Sequence, residues 1–87
     1  MVTAYVTIVT SAGTSPDVLD ELRALDAVRT ANIVAGEYDI IARVAAETEQ
    51  DLLALVTEDI QSIPGVGRTS SAIVLEYAGV GGADTTV

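Results

Sequence analysis

From Val2 to Thr10 the apolar residues Ala4, Val6 and Ile8 share one parity, while Thr3, Tyr5 and Thr7 share the other. A period of two across nine residues rich in β-branched types predicts a strand with one face against a core. Ser11 to Thr14 predict a turn, and Ser15-Pro16 a helix start, with Ser15 as N-cap and Pro16 at the first helical position. Asp17 in the first turn suits the helix dipole. Val18, Leu22 and Leu25 recur at i, i+4 and i+7, so this helix hides one stripe and shows Asp17, Asp20, Glu21 and Arg23 to water.

The second half repeats the scheme. Val28 to Ala35 predict a strand, Gly36-Glu37 a short turn, and Tyr38 to Ala45 a third strand. Thr48 and Asp51 resemble a capping box with Asp in place of the usual Glu or Gln. Leu52, Val56, Ile60 and Ile63 mark the buried stripe of a second helix, which Pro64-Gly65 stops. Thr69 to Tyr77 predict the last strand. The small, Gly-rich residues beyond it divide the chain into one domain over 1–78 and a flexible C-terminal tail over 79–87.

The order β-α-β-β-α-β carries a faint internal repeat, in which Leu25 to Val34 echo Ile63 to Val74. It predicts an α+β, ferredoxin-like βαββαβ fold: a four-stranded antiparallel sheet with two helices on one face. The strands also hold neighbouring apolar residues, Ile40-Ile41 and Ala72-Ile73-Val74-Leu75. Strands apolar on both faces need cover on both, so a dimer packed sheet to sheet, a dimeric α/β barrel-like assembly, is expected.

Composition narrows the chemistry. Eighty-seven residues make one domain, with 13 Asp and Glu against 4 Arg, no Lys and no His, for a net charge of −9. Such a surface repels a phosphate backbone and anionic lipid, so neither direct nucleic-acid contact nor membrane attachment is expected. Without Cys or His, Zn sites, haem His ligation and catalysis by either residue are excluded. No apolar run approaches the ~18 residues of a membrane span, and a cytoplasmic domain without cofactor or metal is the expectation. The acids Glu47, Glu49 and Asp51 suit a helix N-terminus, Glu58-Asp59 has no metal-loop spacing, and Gly65-Val-Gly67 lacks the remaining residues of a phosphate loop. No catalytic nucleophile–base pair is visible.

The informative stretch is Gly36-Glu-Tyr-Asp39. Glycine permits a positive-φ turn, and Asp in a turn can bond local N–H groups. Yet Tyr38 is one of only three aromatics, and Asp is unfavourable where a strand begins. The run Gly36 to Val44, followed by a helix and then by Ile63-Pro-Gly-Val-Gly-Arg-Thr-Ser-Ser-Ala-Ile-Val-Leu75, resembles the effector-binding (RAM) domain of the Lrp/AsnC regulators of amino-acid metabolism. The resemblance runs from residue 2 to about 77.

It implies a homodimer, extending in some members to a tetramer of dimers, and a small effector, usually an amino acid, held near the Gly-x-Tyr-Asp turn between dimers. By position, Gly36, Tyr38 and Asp39 match that motif, and Ser71 and Ile73 fall where the last strand often lines the pocket. Asp39 would pair the effector's ammonium, and turn N–H groups with the Ser70 or Ser71 hydroxyl its carboxylate. Arg68 is a further candidate for that carboxylate, its alternative use being a surface salt bridge. Tyr38 either walls the pocket or packs at the dimer–dimer contact. The regulators carry an N-terminal helix-turn-helix, whereas Met1 leads here into the first strand, so a stand-alone module is expected, with a full-length Lrp/AsnC relative as possible partner. Two other classes share the strand order. A small dimeric α/β-barrel enzyme, of monooxygenase or isomerase type, requires a polar-lined cavity between helices and sheet. A purely structural partner domain would leave the turn site empty. The acidic, Lys-free composition resembles that of proteins from salt-loving archaea, which implies a dimer that tightens in molar salt.

Overall fold

The structure is a computed structural model that describes residues 1–75. The chain runs β1 (Val2–Thr10), α1 (Ser15–Arg23), β2 (Val28–Ile33), β3 (Ile40–Ala46), α2 (Glu49–Ala54) with a wider continuation over Leu55–Ile60, and β4 (Val66–Ile73). The strands form one antiparallel sheet in the order β2-β3-β1-β4, as expected for the ferredoxin-like fold. The tail expected over 79–87, and the last residues of the strand expected to reach Tyr77, lie outside the described residues.

Alternation does the sorting. On β1, Ala4, Val6 and Ile8 are fully buried while Tyr5 is half exposed. Ile40, Ala42 and Val44 stand beside them on β3, paired with Ile8, Val6 and Ala4 respectively. Val18 and Leu22 from α1 close over this face, joined by Leu52, Val56 and Ile60 from the second helical segment and by Ile63 from the turn after it. Both helices therefore lie on one face, and the space between helices and sheet is filled with aliphatic side chains. Among the described residues no polar or charged side chain is buried, so the polar-lined interior required by the enzyme alternative is missing from this layer. No helix among them is long and apolar enough to cross a membrane.

Several boundaries differ from expectation for identifiable reasons. Ser15 is the first residue of α1 and Thr14 holds the cap position, with no side-chain capping bond. Both hydroxyls are occupied elsewhere: that of Thr14 donates to Ser11 O (2.8 Å), and that of Ser15 shares a hydrogen with Thr10 Oγ1 (2.6 Å). Thr48 does cap α2, accepting from the Asp51 N–H at 3.0 Å. Past Ala54 the helix widens, with Gln61 N–H reaching back five residues to Val56 O. There the Thr57 hydroxyl donates to Leu53 O (2.8 Å), competing with the regular ladder. Leu55, three residues after Leu52, joins Val56 in the core, at an i+3 position that the expected stripe left out.

β4 begins at Val66, three residues earlier than expected, and Gly67 bulges out between residues paired with Val9 and Thr10. The two sheet edges are finished differently. On β2 the guanidinium of Arg23 donates twice to Ala31 O, from Nε (3.2 Å) and Nη2 (2.8 Å). On β4 the alternation of the ladder leaves the N–H and C=O groups of Thr69, Ser71 and Ile73 facing away from β1.

Gly65 carries the tightest turn, at φ +101°, with a hypothetical Cβ only 2.7 Å from Thr14 Oγ1 and 3.0 Å from Val18 Cγ2. Thr14 is held by its bond to Ser11, so the clash has no easy relief. Gly36 is the opposite case: its φ is outside the left-handed region, and nothing lies within 4 Å of its Cβ position. Gly36 therefore does not supply a positive-φ turn, contrary to expectation. Gly65→Ala should cost more than about 1 kcal/mol of stability and Gly36→Ala less than about 0.5 kcal/mol. Urea unfolding at one fixed protein concentration measures both.

Candidate functional site

Among the described residues nothing covers the sheet face opposite the helices. The register places Thr3, Tyr5, Thr7 and Val9 of β1 on it, flanked by Ile41 and Arg43 of β3 and by Arg68, Ser70 and Ala72 of β4. At the end of this face where β2 and β3 are joined, the connecting loop rises beside β4.

That loop spans residues 34–39, wider than the expected two-residue turn. Val34 N–H donates to Asp39 O (2.9 Å) to close it, and Asp39 N–H donates to Ile8 O (2.9 Å). Asp39 then does with its side chain what the β1–β3 ladder no longer does. Its Oδ2 accepts both the backbone N–H of Thr10 (2.8 Å) and the Thr10 hydroxyl (3.2 Å). The third strand consequently starts at Ile40 rather than at Tyr38. Asp39 occupies the ladder position with a carboxylate, and Tyr38 is released to the loop. The same Thr10 hydroxyl meets Ser15, so β1, the loop and the start of α1 are tied at one point.

Between loop and sheet lies a recess of about 210 Å³, lined by Thr7, Val9, Glu37, Tyr38, Arg68 and Ser70, with Thr69 at its margin. Of the expected site residues, Tyr38 and Ser70 meet here. Gly36 sits in the loop without lining the recess, and Asp39 stands behind it with Oδ2 committed to Thr10. Ser71 and Ile73 are placed otherwise. Successive residues of a strand point to opposite faces, so Ser71, paired with Val6, and Ile73, paired with Ala4, lie on the helix side of β4. Both are exposed there because β4 is an edge strand. A second, larger recess of about 630 Å³ lies around the other end of the β1–β4 pair, lined by Thr3, Tyr5 and Arg43 from the open face and by Glu49 and Ile73 from the helix side.

Thr7, Val9 and Glu37 were not singled out from the sequence. Thr7 and Val9 follow from alternation, since they share parity with Tyr5 and oppose the buried Val6 and Ile8. That Val9 faces Arg68 requires the register. Glu37 next to Tyr38 required the true width of the loop.

Comparison with known proteins agrees with this architecture. A family model described as the Lrp/AsnC ligand binding domain matches residues 3–78. An uncharacterized HTH-type transcriptional regulator of Pyrococcus furiosus, PF0250, is 32% identical over 60 residues, which is 69% of this chain and 40% of that protein. The chain thus spans less than half the length of that relative. Among solved structures, the hypothetical protein PHS023 from Pyrococcus horikoshii superposes with a TM-score of 0.82 at 36% identity, covering 97% of this chain and 100% of that one. E. coli AsnC gives a TM-score of 0.83 at 25% identity, covering 99% of this chain and 56% of that one.

The Asp39 clamp has a measurable consequence. Asp39→Ala removes the acceptor and leaves the part-buried Thr10 N–H unpaired, which should cost roughly 1.5–3 kcal/mol. Asp39→Asn keeps an oxygen for Thr10 and should cost about half as much or less. Denaturation of both variants at equal concentration measures the difference, and equal losses would show that charge rather than the bond holds the loop.

Proposed function

Because the chain belongs to the Lrp/AsnC ligand-binding family, we propose that residues 1–78 bind a small effector, of amino-acid type, in the recess beside Tyr38. The observation that carries this reading is the recess itself. It gathers hydroxyls, a guanidinium, a carboxylate and an aromatic ring at the loop that bears the family-like Gly-x-Tyr-Asp motif. In this reading Tyr38 walls the ligand, Ser70 offers a hydroxyl, and Asp39 positions the loop through Thr10. Gly36 leaves the loop backbone bare for close approach, which neither its φ nor its neighbours require. Ser71 and Ile73, turned to the other side of β4, do not line this recess and have no part in this reading.

We propose further that the uncovered face pairs with that of a second copy. Tyr5 (48% exposed) and the half-buried Ile41 and Val9 supply its apolar part. Effector binding then changes how such dimers meet one another or meet a full-length regulator, because the recess opens on the same face. The HTH-type name of PF0250 favours a role in transcriptional regulation. With thirteen acids and four arginines the action of this chain on DNA would run through a partner. An enzyme reading has less support, since the family is one of regulatory ligand-binding domains and the helix–sheet layer is packed with aliphatic side chains.

Isothermal titration against the twenty amino acids should yield heat for one or a few of them, and Tyr38→Ala should weaken that binding about tenfold. Sedimentation with and without the binder should show a shift in assembly size. Absence of heat from all twenty overturns the effector reading, and a folded monomer at micromolar concentration overturns the dimer.

A further inference from the structure

Ser15 stands at the start of α1, where a hydroxyl commonly turns to the free N–H groups of the first helical turn. Here α1 has no side-chain cap, and Ser15 Oγ reaches back to Thr10 Oγ1 at 2.6 Å. Thr10 is the last residue of β1, opposite Val66 across the irregularity between β1 and β4. Its hydroxyl also donates to Asp39 Oδ2 (3.2 Å), and its N–H donates to the same oxygen (2.8 Å). All three residues are half-buried. The neighbouring hydroxyls of the turn are spent on backbone carbonyls, Ser11 on Gly65 O and Thr14 on Ser11 O. Those of Ser15 and Thr10 lead instead to a carboxylate.

Hydrogen counting gives this contact a direction. A threonine hydroxyl has one hydrogen to donate, and a carboxylate has none. With the Thr10 hydrogen on Asp39, Ser15 must be the donor at 2.6 Å, and the order of donation runs Ser15 to Thr10 to Asp39. The reverse order, Thr10 donating to Ser15, would leave Asp39 with the Thr10 N–H alone. The carboxylate selects the first order, because a hydrogen bond to a charged acceptor is stronger than one between neutral groups. A hydroxyl that donates to charge also becomes a better acceptor for the next donor.

We infer that Ser15, Thr10 and Asp39 form a directional hydrogen-bond relay, which couples the first turn of α1 to the loop that carries Tyr38. Asp39 and Ser15 act on each other through Thr10. Displacement of the loop over residues 34–39 takes the acceptor from the Thr10 hydroxyl, and the Ser15 bond at the helix start weakens with it. The position of a loop that borders the open face is thereby felt in the helix layer on the other side of the sheet. This coupling goes beyond the effector reading and stands whether or not the recess takes a ligand.

A double-mutant cycle tests the direction of the relay, by urea unfolding of the full chain at one protein concentration. Ser15→Ala should lower the folding equilibrium constant by a factor at least about threefold smaller in the Asp39→Ala background than in the parent chain. Asp39→Asn, whose oxygen keeps the Thr10 N–H bonded, should give a difference of the same sign and smaller size, and it serves if the alanine variant does not fold. Thr48→Ala, which uncaps α2 and shares no partner with Asp39, should cost the same in every background. Amide exchange reads the effect on α1 directly. In the Asp39 variants the Val18 N–H, bonded to Thr14 O, should exchange faster relative to the Leu52 N–H, bonded to Thr48 O, by about threefold for Asp39→Ala. Thr10→Val keeps the backbone bond to Asp39 and removes the relay, so adding Asp39→Asn to it should leave that ratio unchanged. An equal or larger loss from Ser15→Ala in the Asp39 backgrounds overturns the relay. So does a Val18-to-Leu52 ratio that the Asp39 variants do not alter, or a Thr48→Ala loss that changes as much as that of Ser15→Ala.

Discussion

Two helices can cover only one face of a four-stranded sheet, and the rest of this molecule follows from that limit. The buried face takes Ala4, Val6 and Ile8 with their β3 partners Val44, Ala42 and Ile40, and the helices supply Val18, Leu22, Leu52, Val56 and Ile60 above them. In a domain of 87 residues a core of this kind buries only a modest fraction of the chain's surface. The other face has no such cover among the described residues. It keeps hydroxyls, two arginines and a few apolar side chains, a mixture suited to reversible contact with a ligand or a second chain rather than to permanent burial.

The candidate site exists because one residue breaks the regularity of the sheet. Asp39 keeps one backbone bond to β1, its N–H to Ile8 O, but its carbonyl turns to Val34 N–H within the loop, and β3 proper begins only at Ile40, which leaves Tyr38 beside the recess. The Asp39 carboxylate meets Thr10, whose hydroxyl also meets Ser15. Loop, sheet and first helix are thereby joined at a point a few residues from the recess, so strain introduced there can reach α1 through short, polar contacts.

Much of this was legible in the sequence where a single periodicity governs. β1 was read with its observed bounds because its two parities differ in chemistry; in the helical stripes Val18, Leu22, Leu52, Val56 and Ile60 are buried as read, while Leu25 and Ile63 pack from beyond the helix ends, Leu25 only half-buried, and Leu55 was missed. The misreadings arose where polar side chains choose among several partners. Ser15 resembled a cap, but its hydroxyl meets Thr10 and the cap position falls to Thr14. Gly36 resembled a positive-φ turn, while that conformation belongs to Gly13 and Gly65. Ser70 and Ser71 were grouped by proximity in sequence and by the family resemblance. Strand alternation alone separates them onto opposite faces, and only the register with β1 tells which of the two joins Thr7. Glu37 escaped notice because loop width depends on Asp39 leaving the ladder, a choice no local pattern announces.

The Arg23 side chain bears on how far the sheet can be extended. By donating twice to Ala31 O, it occupies an acceptor that an incoming strand would need. Among the described residues the β4 edge carries no such contact, and the N–H and C=O groups of Thr69, Ser71 and Ile73 are directed outward there. The two margins of the sheet thus differ in their readiness to accept a further strand: one has an acceptor already taken, the other offers a regular row of donors and acceptors.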